Sequence, residues 1–292
     1  MARSLPRPSL RFGTGGVPRS SPAPDAVRGV ETVAALGLSV MELEFVQGVR
    51  LSEATAERIR ERARALDVAL TCHGPYYINL NAVEPEKRQA SRTRILETAR
   101  AAQRVGARSI TFHAAFYLGQ DPEAVHRTVR EELAGILRQL RDEGNSVQIR
   151  PELTGKPSQY GSLEELLRLA SEVPGVLPCI DFSHAHARSG GAQNSAEEFD
   201  RMLEQVRAAL GDEGLADLHL HVSGIEYTAK GERRHLDLPE ADLRWQDLLR
   251  SLFSARAGGV VICESPSLEE DALRMQRYFR KLAATEERHG AR

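Results

Sequence analysis

Short apolar runs alternate with amphipathic stretches from one end of this chain to the other, and no second pattern interrupts them. The runs at 10–13, 39–45, 69–72, 109–112, 147–151, 176–180, 217–221 and 260–263 have strand length. Helix signals lie between them. Asp121-Pro122 is an N-cap with proline at the first helical position, and Val125, Val129, Leu133, Ile136 and Leu140 then mark one apolar stripe. Ser162 with Glu165, Ser195 with Glu198 and Ser267 with Glu270 have capping-box spacing. Helices are also predicted over 25–36, from Ser52, over 86–105 and over 242–252, with a long polar loop from the seventh strand to Pro239. Eight strand-then-helix units mean a parallel sheet, and 292 residues suit its closure as a (β/α)8 barrel of about 250 residues. The expectation is a single-domain α/β TIM barrel over 10–286, with 1–9 a flexible leader and 287–292 a tail. An open doubly wound sheet is the alternative, and neither G-x-G-x-x-G nor a P-loop supports it.

The composition narrows the class of function. A formal net charge of −2 advertises no global basic field, which counts mildly against nucleic acid, although bound cations would offset carboxylates locally. Three cysteines make a disulfide framework unexpected and a reducing cytoplasm the default. No apolar run approaches the roughly 18 residues of a membrane span, and the start M-A-R-S-L-P-R-P has no apolar signal region. A cytoplasmic monomer with no membrane partner is expected.

The strand ends carry the chemistry. The third strand ends on His73, the fourth on His113, the fifth on Glu152, the sixth on Asp181 and His184, the seventh on His219 and His221, the eighth on Glu264. In a barrel these ends converge on the C-terminal mouth. Each has an ordinary reading: a lone histidine is usually just hydrogen-bonded, and a lone glutamate caps a helix. Six consecutive strands ending this way are harder to explain, because clustered carboxylates repel unless cations sit between them. Imidazole and carboxylate suit zinc and, less strongly, manganese or iron, and the donors exceed one tetrahedral shell, so two or three ions are expected. His221 lies nearer the mouth than His219, one layer below. Glu42 and Glu44 share an inward face, as ligands or as partners of ligands. Cys72, Cys179 and Cys263 are read as packing residues.

The segments H-G-P-Y-Y-I-N-L (73–80), F-H (112–113), P-E-L-T-G (151–155), C-I-D-F-S-H-A (179–185), H-V-S-G-I-E-Y (221–227) and I-C-E-S-P (262–266) resemble the endonuclease IV family of abasic-site endonucleases. The resemblance runs over almost all of the chain after residue 10. It implies a three-zinc barrel in which His73, His113 and Glu152 hold one ion. Glu152 would bridge to a second ion held by Asp181, His221 and Glu264. His184 and His235 would belong to the third. Glu152 would thereby be the central catalytic residue, and the partner would be DNA containing abasic sites. Tyr76 matches an aromatic that this family pushes into DNA near the lesion; an exposed loop tyrosine is its ordinary reading. Arg50, Lys156, Arg233 and Arg234 are expected in mouth loops, from which a DNA backbone would be in electrostatic reach; the ordinary reading of a loop arginine is nothing so specific.

Two departures accompany the resemblance. The family completes its third site with D-x-H, whereas G-E-R-R-H-L here puts Arg233 at the Asp position and Glu232 one residue away. The turn after the first strand is G-T-G-G rather than G-x-H. The activity implied is metal-dependent hydrolysis of the phosphodiester 5′ to an abasic site, since zinc brings bound water to a pKa of about 7. The alternatives are a xylose-isomerase-like sugar isomerase or epimerase, which does not need the His73 and His113 pair, and a non-catalytic metal-binding barrel.

Overall fold

The computed structural model describes the backbone of residues 9–290 and the side chains of residues 9–286. All but the last residue of the expected leader lies outside that range, as do residues 291 and 292 of the expected tail. The first half of the chain forms β1 (Ser9–Gly15), α1 (Ala26–Ala35), β2 (Val40–Glu44), α2 (Glu53–Ala65), β3 (Ala69–His73), α3 (Pro85–Val105), β4 (Ser109–Phe112), β5 (Ala115–Phe116) and α4 (Pro122–Asp142). Then come β6 (Gln148–Pro151), β7 (Gln159–Tyr160), α5 (Leu163–Glu172), β8 (Cys179–Asp181), α6 (Phe182–Arg188), α7 (Ala196–Ala216) and β9 (Leu218–Val222). A hairpin of β10 (Gly224–Thr228) and β11 (Gly231–Leu236) leads to α8 (Trp245–Ser254), β12 (Gly258–Cys263) and α9 (Glu269–Gly290).

Eight strands make one parallel sheet in the order β6-β4-β3-β2-β1-β12-β9-β8. Single parallel bridges, Ile149 to Val176 and Glu152 to Cys179, draw its two edges together into a (β/α)8 barrel. Arg150 stitches this seam from below. Its buried guanidinium donates to the Pro178 carbonyl at 3.2 Å and to the Asp217 carbonyl and carboxylate at 2.8 Å each. Burial lowers the Arg150 pKa to about 10, which leaves it charged at neutral pH.

Strand alternation divides the side chains into two sets. Outward residues such as Ile110, Phe112, Leu220 and Val261 pack against the helix stripes, including Val129, Leu133 and Ile136 of α4, in one large core. Inside the barrel Val40, Val260 and Ile262 form a small separate plug with Ala69. Buried polar residues, among them Glu42, Thr71, Thr111 and His219, share the interior with this plug.

Most helix starts follow their local chemistry. Asp25, Ser52 and Asp121 accept from backbone amides three residues on, and both boxes, Ser162–Glu165 and Ser195–Glu198, are reciprocally bonded. The third box does not form. Leu268 takes φ +44°, Asp237 holds the Ser267 amide at 2.8 Å, and Glu269 turns back to the amides of Arg19 and Ser20. Tertiary contacts there outbid the local signal. Among the described residues, no helix is long and apolar enough to cross a membrane.

Candidate metal centre

With two residues per pleat, the inward phase of β3, β8 and β9 delivers His73, Asp181 and His221 to the mouth. The residues just past β4, β6 and β12 deliver His113, Glu152 and Glu264 to the same place. Five donor groups result among the described residues; two of them, Glu42 with Glu44 and Glu264 and Cys179 with His219 and His221, lie deeper, and three line the mouth. Ligand atoms of His73, His113 and Glu152 all lie within 4.8 Å of one another, as do those of Glu152, Asp181, His221 and Glu264, and those of His184, Glu232 and His235. Glu152 turns one oxygen to the first group and the other to His221 of the second and His184 of the third. Oε2 lies 3.1 Å from His73 Nε2 and 3.5 Å from His113 Nε2, while Oε1 lies 3.1 Å from His184 Nδ1 and 3.4 Å from His221 Nδ1. A cavity of about 390 Å³ opens above, lined also by Tyr76, Lys156 and Gln159.

His184 does not end a strand, contrary to the expectation from its sequence. It sits in the first turn of α6, whose N-cap is Asp181 itself: the Asp181 carboxylate accepts from the His184 amide at 2.8 Å. Ser183 anchors that turn by donating to the Ser223 carbonyl at 2.9 Å and accepting from the Ser223 amide at 2.8 Å. The strand-to-helix corner is thus pinned to the neighbouring strand.

The polar stretch after β9 is also not a loop but the β10–β11 hairpin. Its register pairs Glu226 with Arg234 and Tyr227 with Glu232, leaving Arg233 as an extra residue, a β-bulge. In a regular strand Glu232 and His235 would face opposite ways, being an odd number apart. The bulge restores the parity and turns both towards His184, with Glu232 Oε2 3.5 Å from His184 Nε2. Arg233 and Arg234 turn the other way, each 2.5 Å from Glu226. Two glycines let the hairpin dock on the segment after β6. The Glu232 amide donates to the Gly155 carbonyl at 2.9 Å, and a Cβ on Gly155 would lie 2.6 Å from Glu232 Cβ and 2.9 Å from His184 Cδ2. A Cβ on Gly231, at φ +89°, would lie 2.3 Å from the Gly155 carbonyl oxygen.

Ring orientation is set at the back of each histidine. His73, His184 and His235 use Nδ1 to donate to the carbonyls of Gly74, Leu153 and Glu264, at 2.7, 3.0 and 3.1 Å. That leaves Nε2 of His73 and His235 facing the donors; in His184, Nε2 faces Glu232 while Nδ1 also lies 3.1 Å from Glu152 Oε1 and 3.2 Å from Asp181 Oδ2.

Residues 30–282, a span holding every one of these donors, match the xylose isomerase-like TIM barrel family. The chain belongs to this family. An uncharacterized protein of Methanocaldococcus jannaschii is 42% identical over 273 residues, covering 94% of this chain and 98% of that protein. A probable endonuclease 4 of Halorhodospira halophila is 30% identical over 197 residues, 65% of each chain. Among solved structures, endonuclease IV of Thermus thermophilus superposes with a TM-score of 0.70 at 22% identity, covering 94% of this chain and 99% of that one. A D-tagatose 3-epimerase-like protein superposes with a TM-score of 0.73 at 16% identity, covering 96% and 99%. Both structures share the fold.

In this xylose isomerase-like barrel the mouth is crowded with carboxylates. Burial opposes charge on Glu152, but His113 and His221 beside it hold its pKa well below the usual range. Burial pushes Asp181 up against the pull of His184, with Glu264 and Glu152 adding to the push. Burial lifts Glu44 to about 8, opposed by His73 and reinforced by Glu42 and Glu264. Burial works against a charged His73, yet Glu152 and Glu44 bring it up to about 10. Such a cluster shares protons until cations replace them. Its donors suit divalent ions on a second count: Asp181 Oδ2, His184 Nε2 and His221 Nδ1 are buried without a hydrogen-bond partner, each at one of the donor groups.

The four mouth cations sort themselves. Arg233 and Arg234 are spent on Glu226, and Arg50 lines a different cavity beside β2 with Phe45 and Leu51. Lys156 alone among them lines the cavity over the donors. Tyr76 stands 65% exposed at its rim, its ring 5.9 Å from that of His73. Missing from the expectations was the partner of Glu42, which touches both His219 and His221. Its inward parity was legible; the cross-barrel contact had no local signal.

Proposed function

We propose that this barrel is a metal-dependent phosphodiesterase, and that its reaction is cleavage of DNA 5′ to abasic sites. The observation that carries the proposal is Glu152, with one oxygen facing His73 and His113 and the other facing His221 and His184. A carboxylate so placed would link two ion sites, and the His184, Glu232 and His235 group would supply a third beside them. His73, His113 and Glu152 would hold the first ion, Glu152, Asp181, His221 and Glu264 the second. Bound there, divalent ions such as zinc would supply Lewis acidity at the phosphate and lower the pKa of bound water towards neutrality. The chain's own part is to hold the donors on separate rigid elements and to seat the substrate. The identity to endonuclease 4 proteins supports the DNA reading. The His73 and His113 pair is what a sugar epimerase of the same fold does without.

The test is a purified full-length chain assayed for metal content and for cleavage of a duplex bearing one abasic site, with chelator and after zinc or manganese repletion. Chelator-sensitive cleavage is expected. Epimerisation of ketoses without cleavage would transfer the assignment to the sugar enzymes, and metal binding with neither activity to a non-catalytic barrel.

Two side chains at the rim give further expectations. Tyr76→Ala should weaken binding to the abasic duplex by about 1–3 kcal/mol, the contribution of an aromatic stacked on a base. Intact duplex should lose less, and equal losses in a titration at fixed salt would leave Tyr76 an ordinary exposed tyrosine. Lys156→Ala should flatten the salt dependence of DNA binding by about 0.9 in the log–log slope, the value for one phosphate contact. Its backbone is fixed, since the Lys156 carbonyl accepts from Arg188 at 2.7 Å and from the Gln159 amide at 3.0 Å. An unchanged slope would show that no phosphate reaches it.

A further inference from the structure

We infer that Glu42 is a positioning residue for the metal centre: from beneath the mouth its carboxylate holds His221 so that Nδ1 faces the ion shared with Glu152, Asp181 and Glu264. This rests on the metal-centre reading above.

His221 is held differently from His73, His184 and His235. His73, His184 and His235 are each fixed through Nδ1 on a backbone carbonyl and present Nε2. His221 presents Nδ1, which lies 3.4 Å from both Glu152 Oε1 and Glu264 Oε1. Its remaining nitrogen, Nε2, lies 3.0 Å from Glu42 Oε1, an ion-pair contact outside hydrogen-bond geometry. The second oxygen, Oε2, lies 3.0 Å from His219 Nε2, and His219 Nδ1 is in turn 3.1 Å from Ser109 Oγ. One carboxylate therefore spans two imidazoles on the same strand, and the lower imidazole is tethered at its far side.

Glu42 comes from across the barrel. In the sheet β1 and β12 lie between its strand, β2, and β9, which carries both histidines. The contact is made through the interior, where Glu42, His219 and His221 are all buried. A carboxylate there gains nothing from water and adds negative charge below a mouth already rich in it, so it opposes stability unless cations answer it. The same charge strengthens a cation site. A carboxylate behind a ligating histidine fixes the tautomer, orients the ring and raises its basicity, and losing it typically weakens metal affinity about 10–100-fold.

The experiment is a zinc and manganese titration of the full chain carrying Glu42→Gln, which keeps the volume, and Glu42→Asp, which keeps the charge on a shorter stem. Glu42→Gln should weaken one class of site about 10–100-fold while the remaining sites hold their affinity. Glu42→Asp should recover part of the loss. In a His221→Ala background Glu42→Gln should have no further effect on that site, because the histidine through which it acts is gone. Thermal melts in chelator separate this from a packing role: the chelated Glu42→Gln variant should melt no lower than the chelated wild type, and the rise on adding metal should shrink. An affinity within twofold of wild type, an equal loss at every site, or a lower melt in chelator with unchanged ion affinity would overturn the role. A wild-type chain that takes up no ion would remove the centre itself, an outcome distinct from failure of Glu42 alone.

Discussion

Glu152→Ala should abolish phosphodiester cleavage, with a loss of at least about 1,000-fold in single-turnover rate. The size follows from what one side chain does. Its two oxygens face two donor groups, so the substitution would remove a ligand from both proposed ion sites at once. Transition-state charge stabilisation by bound ions amounts to several kcal/mol, and each 1.36 kcal/mol is tenfold in rate. The variant also leaves His73, His113, His184 and His221 facing a cavity without the carboxylate that answered them. Metal content should fall with the rate. The Glu152 amide still donates to the Phe112 carbonyl, so the strand end stays in place. Near wild-type cleavage with full metal content in this variant would rule out the shared-carboxylate centre.

Glu232→Ala should lower metal content by about one ion per chain, because each compact group of three or four donors takes one ion, and should slow cleavage. The other two groups draw on β3, β8, β9 and the ends of β4, β6 and β12, so folding and their occupancy should persist. Atomic emission on the purified variant and rate measurement on abasic duplex check both halves. If Glu232 were only a solvated charge, the variant would match wild type in both. A wild-type chain holding no third ion would favour the isomerase-like or non-catalytic alternatives.

Much of this was written in the order of residues. The eight barrel strands, most helix caps and the identity of the strand-end donors follow from alternation and capping chemistry, both of which act within a few residues. What escaped acts at a distance or against a pattern. The β10–β11 hairpin shows no apolar alternation because its inner face carries Glu232 and His235 and its outer face Glu226, Arg233 and Arg234. His184 looked like a strand terminus because the chain passes from β8 into α6 without a linker, Asp181 ending one and capping the other. Ser267 and Glu270 had the spacing of a cap, but Asp237 and a positive φ at Leu268 decided the geometry. Glu42 meets His219 and His221 only because a barrel closes.

The bulge at Arg233 bears on how such sites can drift. On a strand, the spacing between two ligands encodes a face, and a face depends on whether the count is odd or even. One residue inserted between ligands would ordinarily throw one of them to the far side and destroy the site. Extruded as a bulge, the extra residue leaves both side chains on one face, and here Arg233 joins Arg234 on Glu226. Two side chains three apart on a strand can therefore share a face, as a pair two apart does, when the odd residue is extruded. Deleting Arg233 from this chain would remove the bulge: Glu232 and His235 would sit two apart and still share a face, provided the turn at Gly231 kept its register.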